Sequence, residues 1–198
     1  MKKKLMAIAL CTIIGVMAIA GSSLAWLKAE TDTVTNTFTE GLVGIDLYEH
    51  DYVPDSNTLD NATKVTENTD YKMVPGKVLP KDPTVVVKAK SEACYVFIKV
   101  EEVGAVDTFL TYSVDLSVWT ALPGVDGVYY KEITTYTTTD TELNVLTNKK
   151  VTVNSTVEID DMTGLTAENA PQLKFTAYAI QQLGFADAAA AWAELGIN

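Results

Sequence analysis

Reactive and metal-ligating side chains are scarce in this 198-residue chain, which holds two cysteines and one histidine. Cys11 lies in an apolar leader, so the chain without that leader keeps Cys94 alone and cannot close an internal disulfide. Stability then has to come from core packing. His50 is the single histidine, and with Cys94 it falls short of the usual ligand set of a zinc site. No HExxH helix, CxxC pair, GxSxG elbow or glycine-rich phosphate loop occurs. Positive charge is short as well. Fifteen Lys plus Arg face 26 Asp plus Glu, a formal charge of −11 that becomes −14 once Lys2, Lys3 and Lys4 leave with the leader. Such a surface disfavours nucleic acid and anionic lipid, which are bound through clustered cations. It favours solubility. No cofactor is expected.

The leader is the clearest positive signal. Lys2 to Lys4 form a short basic start, Leu5–Ala20 is uncharged and apolar, and Ser23-Leu24-Ala25 places small residues at −3 and −1 of a cleavage site. The apolar run is short of the ~20 residues of a spanning helix. The pattern predicts a removed export signal over 1–25, cut between Ala25 and Trp26, rather than an uncleaved membrane anchor. Signal peptidase is then a partner during export, and the membrane is met only through this segment. Cys11 precedes the end of the apolar run, which rules out a lipoprotein site there.

Residues 26–198 suit one domain, and their Thr, Val and Tyr content suits a pleated, half-buried surface. Period-two alternation recurs. Val43, Ile45 and Leu47 alternate with Gly44, Asp46 and Tyr48. Cys94, Val96, Ile98 and Val100 share a face, which predicts Cys94 as a small buried hydrophobe. Val151, Val153, Val157 and Ile159 share another, and Leu173, Phe175, Ala177 and Ala179 a third, opposite Lys174, Thr176 and Tyr178. Val74-Pro75-Gly76-Lys77 fits a type II turn. Pro123–Gly127 reads as a hairpin between Trp119–Leu122 and Val128–Tyr130. Residues 50–70 lack periodicity and read as a surface excursion. At the end, Asp187 caps a helix over Ala188–Leu195 with Gly196 as its stop, and Trp192 must dock for so short a helix to hold. The expected fold is an all-β, two-sheet antiparallel sandwich with a short C-terminal helix.

Few residues offer chemistry. His50 reads as an exposed histidine in a turn after a strand, and nothing places Asp51 and Asp55 around a metal with it. Asp51, Asp55, Asn57 and Asp60 offer oxygen ligands for calcium without the spacing of an EF-hand. Asp160-Asp161 and Glu101-Glu102 are neighbouring carboxylates of a kind an acidic chain contains without catalysis. Trp119, Tyr129 and Tyr130 could form a sugar platform, though aromatic cross-strand pairs are commoner. No catalytic or metal site is assigned. What remains is the segment from Trp26 to Glu40. Val34, Asn36 and Phe38 lie on one face and Thr33, Thr35, Thr37 and Thr39 on the other. Tethered at one end only, it can pair within its own sheet or with a neighbour's edge. The second contact propagates head to tail and builds a homopolymer. The residues alone leave both pairings open; in the second, the subunit-assembly strand runs through Val34, Thr35, Asn36, Thr37 and Phe38.

Ala25-Trp26-Leu27, the run Thr31–Gly41 and Val43-Gly44-Ile45-Asp46-Leu47 together resemble the opening of the TasA/camelysin family of exported Gram-positive proteins. The likeness continues in order through Met73–Gly76, Lys81-Asp82-Pro83, Cys94–Val100, Gly124–Tyr130, Ala177–Gln182 and Ala191-Trp192. It implies a jelly-roll-like sandwich, a dedicated signal peptidase and a place in extracellular biofilm matrix fibres or at the cell surface. The family also includes proteins described as casein-cleaving metallopeptidases, a label that His50 and Cys94 do not support. A monomeric surface adhesin using the Tyr and Trp hairpin is the remaining alternative.

Intact-mass analysis of the exported protein should show a chain beginning at Trp26. A mature mass that retains Leu5–Ala20 would contradict the cleavage reading.

Overall fold

Ile45–Val53 (β1) and Thr58–Val65 (β2) form an antiparallel hairpin. The chain then runs through Val78–Pro80 (β3) and Thr84–Val87 (β4) to the long strand Cys94–Val103 (β5). A one-turn helix, Val106–Phe109 (α1), leads to Leu110–Thr111 (β6), Thr120–Ala121 (β7), Val128–Ile133 (β8) and Thr141–Asn144 (β9). A 3-10 turn at Thr147–Lys149 precedes Lys150–Val153 (β10), and Ile159–Met162 (α2) precedes Gln172–Gln181 (β11) and the terminal helix Ala188–Glu194 (α3). The computed structural model describes residues 41–198 except positions 70, 164, 167, 168 and 198. The predicted cleavage residues Ser23, Ala25 and Trp26, and the predicted assembly strand through Val34, Thr35, Asn36, Thr37 and Phe38, lie outside the described residues.

The fold is all-β and antiparallel, a sandwich with a short C-terminal helix. Its strands are ordered β11-β5-β8-β7 in one sheet, β2-β1-β4-β9 in a second and β3-β10-β6 in a third. All three sheets contribute to one core. Cys94, Val96, Ile98 and Val100 of β5 meet Val85 and Val87 of β4, Leu143 of β9 and Val151 of β10, with Trp119 and Val145 beside them. β5 departs from simple alternation because its second face is buried too: Tyr95 and Phe97 pack against Ala188, Ala191 and Trp192 of α3. The apolar run Cys94–Ile98 reflects a strand covered on both sides.

Both predicted turns are present. Lys77 N–H donates to the Val74 carbonyl at 2.9 Å, Gly76 takes φ 76°, and its N–H ties the turn to Val153 at 3.0 Å. β7 and β8 pair across the predicted hairpin. Gly127 in its connection has φ 71°, and a Cβ there would sit 2.6 Å from the Val100 carbonyl oxygen. The terminal helix is capped as expected, with Asp187 Oδ1 accepting from Ala190 N–H at 2.8 Å, though it ends at Glu194 rather than Leu195. Trp192 docks, its ring 5.1 Å from Phe97 and edge-on to Tyr178 at 5.6 Å.

Four local readings are corrected. Residues 50–70 are not an irregular excursion. β1 runs to Val53 and pairs with β2, whose residues 61–63 bulge between the partners of His50 and Asp51 and break the alternation of β2. Tyr48, expected on the polar face, is buried because Lys64 lies over its ring at 3.7 Å and its hydroxyl donates to Glu142 Oε1 at 2.9 Å. The Val151–Ile159 strand stops at Val153. Val157 is buried beyond it, and Ile159 opens α2. On β11, Tyr178 is not on a solvated face; with Ile180 it packs toward α3.

Cys94 has no solvent exposure, and burial pushes its thiol pKa up to about 11. A thiol-directed reagent near neutral pH should therefore modify the protein only after unfolding. Because the folded pKa is raised, this group's contribution to stability is full well below 9.0, the ordinary pKa of the exposed thiol in the unfolded chain, and is lost as pH climbs toward about 11. Rapid labelling of native protein would contradict the assignment.

Candidate functional site

Two features stand out: a buried polar cluster beneath β1 and an apolar seam beside β11. The cluster starts from the connection between β3 and β4, where Pro80 and Pro83 bracket Lys81 and Asp82. Proline fixes the backbone on both sides and supplies no N–H. Between them the chain turns two opposite charges toward consecutive residues of β1. Asp82 is 2% exposed; its Oδ1 accepts from the His50 backbone N–H at 3.0 Å and its Oδ2 lies 2.7 Å from His50 Nδ1. A proton on Nδ1 makes that contact a donor–acceptor bond whether the ring is neutral or charged.

Lys81 turns to the preceding residue. Its Nζ lies 2.8 Å from Glu49 Oε1 and 3.0 Å from Oε2. Asn68, arriving after β2, donates from Nδ2 to Glu49 Oε2 at 3.1 Å and to the His50 carbonyl at 3.0 Å. Its Oδ1 accepts from Tyr52 N–H at 2.9 Å. Two rings flank the ammonium, Tyr71 with its centroid at 5.2 Å and Phe175 at 5.6 Å. Tyr71 donates to the Pro80 carbonyl at 3.1 Å; burial, helped by the Glu49 and Asp82 carboxylates, raises its phenol pKa. Among the described residues no buried side-chain N or O atom lacks a partner, the condition under which buried ion pairs are tolerated.

His50 is thus neither in a turn nor exposed: it sits within β1, and its side chain is 14% exposed. Its partner is 32 residues away, which no local spacing could reveal. Asp51, Asp55, Asn57 and Asp60 are not brought together as ligands. Asp60 instead accepts from Ala62 N–H at 3.0 Å and Thr63 Oγ1 at 2.7 Å, bonds that hold its carboxyl pKa below the ordinary value, the Thr63 bond most. Asn57 accepts from the Tyr52 hydroxyl at 2.9 Å and donates to the Val78 carbonyl at 3.1 Å. Among the described residues no group of three or more His, Cys, Asp or Glu is placed to hold a metal ion.

The neighbouring carboxylates have local partners. Asp161 accepts from Glu158 N–H at 3.1 Å in the cap of α2, and Glu102 accepts from the Tyr112 hydroxyl at 2.6 Å. Trp119 does not form a sugar platform with Tyr129 and Tyr130. It is 1% exposed, and its Nε1 donates to the Asn144 carbonyl at 2.8 Å.

The apolar seam has a different origin. β11 lies at the end of its sheet, bonded to β5 along ten residues and to no other described strand. Ile45–Tyr48 of β1 pair with β4, whereas β2 joins β1 only from Glu49 onward. β1 and β11 approach one another, and along both the inward apolar side chains are only partly covered. These are Val43, Ile45 and Leu47 on the β1 side and Leu173, Phe175, Ala177 and Ala179 on the β11 side. Lys174 is the single charged residue in β11. Sheets commonly protect an edge this long with several charges, a proline or a bulge. Sequence alternation revealed the inward face of β11, but only the strand order reveals that the strand is an edge.

No family model, curated protein or solved structure matches the chain.

Replacing His50 by Ala should lower the unfolding free energy by about 1–3 kcal/mol, because a buried carboxylate loses a side-chain donor. The measurement is a shift of the urea midpoint at unchanged slope. A midpoint equal to that of the parent protein would show that the pair adds no net stability.

Proposed function

We propose that this is an exported structural protein of the TasA/camelysin type, assembling outside the cell into matrix fibres through its N-terminal strand. The observation that carries the reading is the seam beside β11. It offers a lightly charged edge that pairs with no other described strand, beside a partly covered apolar face. The segment Thr31–Thr39 has nine residues with Val34 and Phe38 on one face, a match in length and pattern to ten-residue β11. Added to β11, it would pair its backbone with that edge and lay Val34 and Phe38 over the half-covered side chains. The sequence resemblance and the predicted export signal support the same reading. Supplied by a neighbouring subunit, such a strand links copies head to tail.

Burying Val34 and Phe38 is worth roughly 3–6 kcal/mol before ordering costs. Ordering the segment costs on the order of 1–2 kcal/mol per residue, so backbone pairing must supply part of the balance. A single buried charge at this interface should therefore be decisive.

Protein lacking residues 26–40 should stay folded and remain monomeric, while protein beginning at Trp26 forms fibres visible by negative-stain microscopy. Phe38→Asp should raise the concentration needed for assembly at least about tenfold, since each 1.4 kcal/mol is a factor of ten. A truncated protein that unfolds, with the longer form monomeric at high concentration, would make the segment an internal strand and sink the fibre reading.

A further inference from the structure

The Glu49–Lys81–Asn68 group holds more than an ion pair. We propose that Lys81 and Asn68 become joined by an intramolecular amide bond, formed by the protein itself with Glu49 as the proton-transferring group. The inference rests on the placement of three side chains and is independent of the fibre reading.

An amine and a carboxamide do not react in water at any useful rate. Joining them requires that they be held together, that a proton be taken from the ammonium, that the carbonyl be polarised and that the leaving nitrogen be protonated. Each requirement has a group here. Lys81 Nζ and Asn68 Nδ2 both bond to Glu49 Oε2, at 3.0 and 3.1 Å, so nucleophile and leaving group share one carboxylate oxygen. The Asn68 carbonyl oxygen faces the Tyr52 backbone N–H at 2.9 Å, the contact that stabilises negative charge developing on Oδ1. The amide cannot be reversed, because its oxygen would then face the Glu49 carboxylate and the His50 carbonyl, both acceptors. Water access is restricted: the Lys81 and Glu49 side chains are 13% and 11% exposed, beside the rings of Tyr71 and Phe175, and Asn68 is half-buried.

The step balances without a co-reactant. Glu49 takes a proton from the Lys81 ammonium, and the freed Nζ lone pair forms a bond to Asn68 Cγ. The tetrahedral intermediate carries its charge on Oδ1 against Tyr52 N–H. Its collapse breaks the Cγ–Nδ2 bond as Glu49 returns the proton to Nδ2. The two protons lost by Lys81 leave with that nitrogen as ammonium, and nothing is oxidised or reduced. The product ties the segment after β2 to the connection before β4.

Digestion of the folded, full-length protein after Lys residues tests this directly. Cleavage after Lys64, Lys72, Lys77 and Lys88 should release peptides 65–72 and 78–88 as one joined species, with Lys81 uncleaved, lighter than their sum by about 17 Da for the lost ammonia. Lys81→Arg keeps the positive charge beside Glu49 but lacks the nucleophile, and should release peptide 65–72 free. Glu49→Gln should leave the two peptides unjoined or slow their joining at least tenfold, with circular dichroism reporting the fold of both variants. Parent protein that is folded yet yields only free 65–72 after prolonged incubation at neutral pH overturns the proposal. A joined species in Lys81→Arg overturns it as well, and undiminished joining in folded Glu49→Gln removes Glu49 from the role.

Discussion

Strand β5 has no solvent-facing side over its first half. Val96, Phe97 and Ile98 are buried in succession, and consecutive strand residues point to opposite faces. Each such side chain contributes roughly 1.5–3 kcal/mol when taken fully out of water, so both faces of this one strand demand a cover. The valines of β4, with Leu143 and Val151, supply the first, and α3 with its docked Trp192 supplies the second. A seven-residue helix would not hold by itself. It persists because Phe97 and Tyr178 give Trp192 a surface to bury. With one buried cysteine and no disulfide among the described residues, this double cover carries much of the stability of the fold.

The parts that were legible in the sequence are those whose physics is local. Alternation in Cys94–Val100 and Leu173–Ala179, the proline–glycine turn at Val74–Lys77 and the Asp187 cap each depend on residues within a few positions of one another. What escaped depends on distance along the chain. The β1–β2 hairpin was hidden by a bulge in β2 opposite His50 and Asp51 and by polar residues suited to an edge strand. The meaning of His50 was hidden because its partner, Asp82, reaches it only through the pairing of β1 with β4. Tyr48 sits on a face that alternation makes polar, yet Lys64 of adjacent β2 covers it and Glu142 of β9, two strands away, binds its hydroxyl. The strand order decides which elements are edges, and no single segment carries that information.

Buried polarity and exposed apolarity occur close together here, with Phe175 common to both. Its ring lies near the Lys81 ammonium, while its strand faces the half-covered seam. Satisfied charges under β1 make that part of the sandwich rigid and specific, because removing any partner leaves another stranded in low dielectric. The seam is the opposite case. Its apolar atoms are tolerated in water one by one, but together they favour any strand that can cover them. A rigid polar wall thus stands beside a partly covered apolar face.

Pro80-Lys81-Asp82-Pro83 has a further consequence, for the fidelity of folding. The connection presents a cation and an anion side by side to Glu49 and His50, which stand side by side on β1. Were β1 to slip by one position against β4, Lys81 would lose its carboxylate and Asp82 would be pressed toward Glu49, two like charges in a dry site. A slip would also turn every inward side chain of β1 outward. The dipeptide facing a dipeptide therefore works as a key that favours the native alignment over a slip that sets Asp82 against Glu49.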